Sequence, residues 1–89
     1  GDHNIYIEVL DENGKRLLGA KALVRNGGVA PLVIEDKPFP EYGCNFPMYG
    51  LMGSYSTWID GLPSDTVVGM GLPMKWHVSF FLTFQRTTK

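Results

Sequence analysis

Apolar and polar residues alternate near the start of the chain, in Ile5-Tyr6-Ile7-Glu8-Val9-Leu10, and again in Leu17-Leu18-Gly19-Ala20-Lys21-Ala22-Leu23-Val24. A period of two puts every second side chain on one face of a strand. Between the two runs lies Asp11-Glu12-Asn13-Gly14, and Asn-Gly suits a tight turn whose two central residues both take positive φ. Turn and pattern together predict a β-hairpin. A second turn signal, Arg25-Asn26-Gly27-Gly28, leads into a third strand over Val29-Ala30-Pro31-Leu32-Val33-Ile34-Glu35. Pro31 lacks an N–H and places that strand at a sheet edge.

From Lys37 to Gly53 the pattern breaks. The stretch holds Pro38, Pro40 and Pro47 together with Gly43, Gly50 and Gly53, which excludes a long helix and disfavours a regular central strand. The same stretch carries Phe39, Tyr42, Phe46 and Tyr49, too many rings for a solvated linker. It predicts an ordered loop with short strand pieces, laid over one end or edge of the sheet. Ser54-Tyr55-Ser56-Thr57-Trp58-Ile59 is rich in strand formers and stops at Asp60-Gly61 and Pro63-Ser64; Asp65–Met70 is a further short strand. In the last run Trp76, Val78, Phe80, Leu82 and Phe84 share one face, while His77, Ser79, Thr83 and Gln85 share the other, interrupted only by Phe81. This reads as the best core strand, in which Phe80→Ala is expected to cost about 3–5 kcal/mol. About seven short strands without helical periodicity point to an all-β fold, an antiparallel β-sandwich; a small open β-barrel is the alternative.

Composition keeps that picture and removes several functions. The 89 residues fit a single domain, 1–89, that reads as a module of a longer multidomain chain, and 44% apolar with 19% charged residues is a globular composition. Eight basic residues stand against 9 acidic ones. They are scattered at positions 15, 16, 21, 25, 37, 75, 86 and 89, which argues against nucleic acid as a partner. No apolar run approaches the roughly 20 residues needed for membrane insertion, and Gly1-Asp2-His3-Asn4 does not have the form of a signal peptide. A single cysteine, Cys44, permits neither an internal disulfide nor a cysteine-rich zinc site, and no metal or cofactor is expected.

The stretch Val9-Leu10-Asp11-Glu12-Asn13-Gly14-Lys15-Arg16-Leu17-Leu18-Gly19-Ala20-Lys21-Ala22 resembles the opening of transthyretin-like (prealbumin-like), carboxypeptidase-regulatory-like and collagen-adhesin B-type modules, which read as strand, turn, small residue, strand. Gly53-Ser54-Tyr55-Ser56-Thr57-Trp58-Ile59 is similar to a later segment of those modules. The resemblance covers about a third of the chain and implies a sandwich fold. The Pro-rich aromatic loop departs from the family. So does the absence of an Asn in the last strand, where Gln85 stands, so the Lys-to-Asn crosslink of some members is not expected from Lys15 or Lys21. The second half, from Phe46-Pro47-Met48-Tyr49 to Phe84-Gln85-Arg86, also resembles accessory modules of bacterial or phage cell-wall hydrolases. That resemblance implies a non-catalytic role in an extracellular, cell-surface or virion protein, beside neighbouring domains of the parent chain.

Candidate chemistry is sparse. Cys44 and His77, with Asp60 or Asp65, contain the residue types of a nucleophile and base, but nothing in their spacing brings them together. No Gly-x-Ser-x-Gly elbow occurs, and Gly69-Met70-Gly71 does not open a helix that would cradle phosphate. Asp11-Glu12-Asn13 lacks the carboxylate series of a calcium loop. A free Gly1-Asp2-His3 terminus has the atoms for square-planar Cu(II) or Ni(II). What stands out is rings: Tyr42, Phe46, Tyr49, Tyr55 and Trp58 are the candidate ligand-binding residues, since aromatic platforms stack on sugars or anchor a protein partner. On this reading Trp58→Ala abolishes glycan binding. The plainer reading of these rings is that they fill the core, and the competing function is a purely structural spacer or assembly domain, whose exposed apolar surface meets a neighbouring domain or subunit and no soluble ligand.

Overall fold

Ile5, Ile7 and Val9 point to the same side of the first strand and are 0%, 0% and 3% exposed; that row is the centre of the fold. The computed structural model describes residues 2–61, 64–73 and 77–87. Trp76, expected in the core row of the last strand, and Met74, Pro63 and Gly1 lie outside the described residues. The strands are β1 (Asn4–Leu10), β2 (Lys21–Arg25), β3 (Val29–Val33), β4 (Cys44–Pro47), β5 (Tyr55–Ile59), β6 (Val67–Met70) and β7 (Phe80–Gln85). They form two sheets, one of three strands in the order β4-β1-β7 and one of four in the order β3-β2-β5-β6. The chain is all-β, a small two-layer sandwich, and the sheets do not close into a barrel among the described residues.

The inner faces follow the period-two pattern. Ile5, Ile7 and Val9 from one layer meet Ala22 and Val24 of β2 and Tyr55 and Ile59 of β5 from the other, with Ile34, Met48 and Met70 filling the remaining space from strand ends and loops. Burying one such aliphatic side chain is worth roughly 1.5–3 kcal/mol, so these rows carry the fold. β3 lies at an edge, as Pro31 requires, and the β2–β3 hairpin turns at Asn26-Gly27-Gly28, where Gly27 takes φ 75° and Asn26 N–H donates to the Gly28 carbonyl at 2.8 Å.

Three expectations are corrected. First, β1 and β2 are not a hairpin. Asn13 has no positive φ; only Gly14 does, and the turn is closed by the Asp11 carboxylate, which accepts the N–H groups of Asn13 (2.8 Å) and Lys15 (3.0 Å). After a single bridge between Leu10 and Arg16, Gly19 at φ 82° redirects the chain into the opposite layer, so β1 and β2 face each other across the core. Second, the sandwich is not wholly antiparallel, because β7 runs parallel to β1, with Ile5 opposite Phe80 and Val9 opposite Phe84. Third, the last strand is not the best buried one. Phe80, Leu82 and Phe84 face inward yet are only half-buried, and the regular strand starts at Phe80, so His77 to Ser79 belong to the approach.

The proline-rich segment is ordered, with β4 as its strand piece, and Arg16 ties its first part to β1. Its guanidinium donates from Nε and Nη2 to both Glu8 oxygens at 2.8–3.1 Å, and to the carbonyls of Glu35 (3.2 Å), Lys37 (2.5 Å) and Glu41 (2.6 Å). A charged, forked donor of this kind holds several carbonyls at once, and it adds to the segment's own bonds, in which Lys37 N–H donates to the Glu35 carbonyl at 3.0 Å and Glu41 N–H to the Pro38 carbonyl at 2.9 Å.

Thr57 is the exception in the inner face. It is fully buried, and among the described residues its Oγ1 has no hydrogen-bond partner. Burying an unsatisfied hydroxyl costs about 1–3 kcal/mol. Thr57→Val is therefore expected to raise stability by about 1 kcal/mol, read as a higher denaturant midpoint at unchanged slope. A loss of stability would mean that the hydroxyl has a partner.

Candidate functional site

The structure scatters the rings that the sequence singled out. Tyr55 is in the core, and its hydroxyl accepts the N–H groups of Tyr49 and Gly50, both at 2.8 Å, so it anchors the loop. Phe46 faces inward from β4 and meets Tyr55 edge-on at 6.2 Å. Trp58 is half-buried on the outer face of β5, with the Arg25 guanidinium 5.0 Å above its ring, a cation–π contact that covers one face. Tyr49 is 78% exposed and stands edge-on to His3. Tyr42 is half-buried against the outer face of the other sheet. These rings form no common platform.

A different aromatic group does assemble, on the outer face of the β4-β1-β7 sheet. The register sets Tyr6 of β1 beside Phe81 of β7 on one side and Asn45 of β4 on the other. The Tyr6 and Phe81 rings are stacked, 9° from parallel with centroids 5.0 Å apart. Tyr42 leans on both, at 6.2 Å and 5.5 Å. Phe81 is 61% exposed, a large apolar surface left in water.

Polar side chains border these rings in fixed positions. The Asp2 carboxylate accepts from the Tyr6 hydroxyl, from Asn4 Nδ2 at 2.7 Å and from the Ser79 hydroxyl at 2.9 Å. Asn45 Nδ2 in turn donates to Asn4 Oδ1 at 2.9 Å, and Asn4 N–H donates to Ser79 Oγ at 3.0 Å. The network ties β4, β1 and the approach to β7 into one rim. Tyr6 first, then Ser79 and Asn4, hold the Asp2 carboxyl below its ordinary value of 3.8, while the Asp2 hydrogen bond raises the Tyr6 hydroxyl above 10.0. The depressed Asp2 stabilises the folded rim above pH 3.8 and loses that effect as pH falls through its lowered pKa; the raised Tyr6 stabilises it below pH 10.0 and loses that as pH rises. Across the neutral range the rim is a fixed anion with its donors in place.

The remaining candidates separate. Cys44 is buried, faces the core opposite Ile7, and burial pushes its thiol up to about 11, so it is not a thiolate at neutral pH. His77 is exposed and packs on His3, ring centroids 5.0 Å apart, so the two halves of the imagined dyad sit in different environments. His3 Nδ1 is engaged with the Met48 carbonyl at 2.6 Å, and Nδ1 is the ring nitrogen that a terminal copper motif needs. Among the described residues no three His, Cys, Asp or Glu side chains cluster as metal ligands.

Sequence reasoning missed Tyr6, Phe81, Asn4, Asn45 and Asp2. One signal was present: Phe81 interrupts the polar row of the last strand, and Tyr6 stands in the row opposite Ile5 and Ile7. Only the β1–β7 pairing makes the two neighbours. The chain has no match among family models, curated proteins or solved structures.

Proposed function

We propose that this chain is a non-catalytic binding module whose ligand is carbohydrate, taken on the outer face of the β4-β1-β7 sheet. The observation that carries the reading is the stack of half-buried Tyr6 on exposed Phe81, with Tyr42 at its side and an amide and carboxylate rim of Asn45, Asn4 and Asp2. Saccharides offer an apolar C–H face and a periphery of hydroxyls, and rings beside fixed amides and carboxylates match both. Pre-ordering of the rim by its own hydrogen bonds lowers the ordering cost of binding. The resemblance of the second half to accessory modules supports reading the chain as part of an extracellular, cell-surface or virion protein, in which the module would attach a longer chain to its target.

The spacer reading has one observation in its favour. On the outer face of the other sheet Val29, Val33 and Val68 are exposed, with Leu23 opposite Pro31 between Lys21 and Arg25, a mixed surface of the kind that neighbouring domains cover.

Screening on a glycan array, followed by titration of the best hit, separates the two. Phe81→Ala and Asn45→Ala are each expected to weaken binding at least tenfold with an unchanged thermal midpoint, while Trp58→Ala binds as the parent does. Absence of binding to any glycan, or equal binding by the Phe81 variant, overturns the carbohydrate reading and leaves the spacer.

A further inference from the structure

Among the described residues the sandwich has four strand edges, and three of them carry protection against pairing with another chain. β3 carries Pro31; β4 is four residues long and ends at Pro47; β6 is four residues long, has a register shift against β5 and contains Gly69 at φ 85°. Short length, proline and bulges are the devices that keep edges from being templates. β7 has none of them. Its six residues, Phe-Phe-Leu-Thr-Phe-Gln, include no charge, proline or glycine, and among the described residues it pairs with β1 alone.

The space beside that edge is open. β4 closes on β3 at one side of the sandwich, so the extra strand of the four-stranded layer overhangs at the other side, where β6 has no opposing strand among the described residues. The result is a groove of about 600 Å³ between β7 and the β5–β6 edge. Its apolar lining includes Leu17, Ile59, Val67, Leu82 and Phe84, and Asp65 and Arg86 stand among its polar residues. This explains why Leu82 and Phe84 are only half-buried while their β1 neighbours Ile7 and Val9 are not exposed beyond 3%.

We propose that the β7 edge docks an extended segment of another polypeptide, which adds as a fourth strand to the β4-β1-β7 sheet and drops alternate apolar side chains into the groove over β6. Alternate residues of β7 present their N–H and C=O groups away from β1, and a strand is the partner that satisfies a row of such groups. The groove then selects the side chains, apolar at every second position. A second copy of this chain does not fit the same place. Joining β7 to β7 would bring two overhanging β6 layers into one space, and without contact between layers the joint is one strand wide and about 20 Å long, well short of the roughly 1,000 Å² of a specific interface. A single segment meets no such obstruction. Phe81 stands at the border of this groove and of the outer face, so the added strand lies beside the Tyr6–Phe81 stack, while its inward side chains enter the groove at Val67, away from the Asn45–Asn4–Asp2 rim.

The test uses random twelve-residue peptides displayed against the immobilised protein, with the selected peptides then synthesised and titrated into labelled protein. The expected result is enrichment of peptides with apolar residues at alternate positions. Hydrogen exchange of β7 amides should slow at least tenfold on binding. Thr83→Pro, which alters the β7 edge, and Val67→Phe, which narrows the groove, should each weaken binding at least tenfold, while Trp58→Ala leaves it unchanged. Circular dichroism and the thermal midpoint establish that the variants fold, and if Thr83→Pro does not, the Val67 variant decides. No enrichment, unaltered β7 exchange, or binding indifferent to Val67→Phe overturns the proposal. So does a concentration-dependent dimer in sedimentation that Val67→Phe abolishes, which assigns the edge to a second copy.

Discussion

Gly71→Ala is expected to cost roughly 3–5 kcal/mol, the upper end of single-substitution effects. A Cβ at Gly71 would lie 2.0 Å from the Leu51 carbonyl oxygen, 2.5 Å from its carbon and 2.8 Å from the Met52 Cα, all backbone atoms that cannot rotate away. The clash falls where two irregular segments are laced together. Leu72 N–H donates to the Gly50 carbonyl at 2.8 Å and Met52 N–H donates to the Leu72 carbonyl at 3.1 Å, forming a parallel bridge between Leu51 and Leu72. Separating them also strains the Tyr49–Gly50 turn held by the Tyr55 hydroxyl. Gly69→Ala is the control. Gly69 also has positive φ, 85°, but a Cβ there meets nothing within 4 Å, so only backbone strain of about 1–2 kcal/mol remains. Urea denaturation of both variants reads the difference. Equal costs would show that φ alone, and not the close approach of the two segments, governs Gly71.

The second large effect compares two inward-facing neighbours of the three-stranded sheet. Ile7→Ala is expected to cost about 3–5 kcal/mol, because Ile7 is 0% exposed at the centre of the core and its removal leaves a cavity that surrounding strands cannot close. Phe80→Ala removes a larger side chain but is expected to cost only about 1–2 kcal/mol, since a half-buried ring forfeits less transfer free energy and opens onto solvent. This reverses the sequence expectation for Phe80. Chemical denaturation at matched slope tests the order, and a larger cost at Phe80 would show that β7, and not β1, is the better buried strand.

Both predictions mark the limit of a one-dimensional reading. The edge position of β3 was legible because Pro31 has no N–H to give a second neighbour, and the β2–β3 turn because Asn26-Gly27-Gly28 offers the positive φ it needs. The inward rows of β1 and β2 followed from alternation. The candidate site did not follow. Tyr55 and Phe46 were counted among possible platform rings, yet an aromatic side chain at a strand position faces in or out according to its register, and the sequence carries no label for the side. Tyr6 and Phe81 lie 75 residues apart in the chain and became neighbours through a parallel pairing that no turn announces.

By itself the sequence determined that this chain folds into strands and which residues of each strand share a face, because a period of two, glycine's access to positive φ and proline's missing donor are local properties. It also determined that Cys44 has no partner cysteine and that basic charge is dispersed. The tertiary structure alone decided which strand lies beside which: that β1 and β2 oppose one another across the core, that β7 joins β1 in parallel, and that, among the described residues, the unequal layers leave the β7 edge and the groove beside it open. The physical reason is that an apolar face is satisfied equally by any other apolar face. Period-two burial is blind to the choice between neighbour and opposite, and the choice is made by the packing of the whole chain.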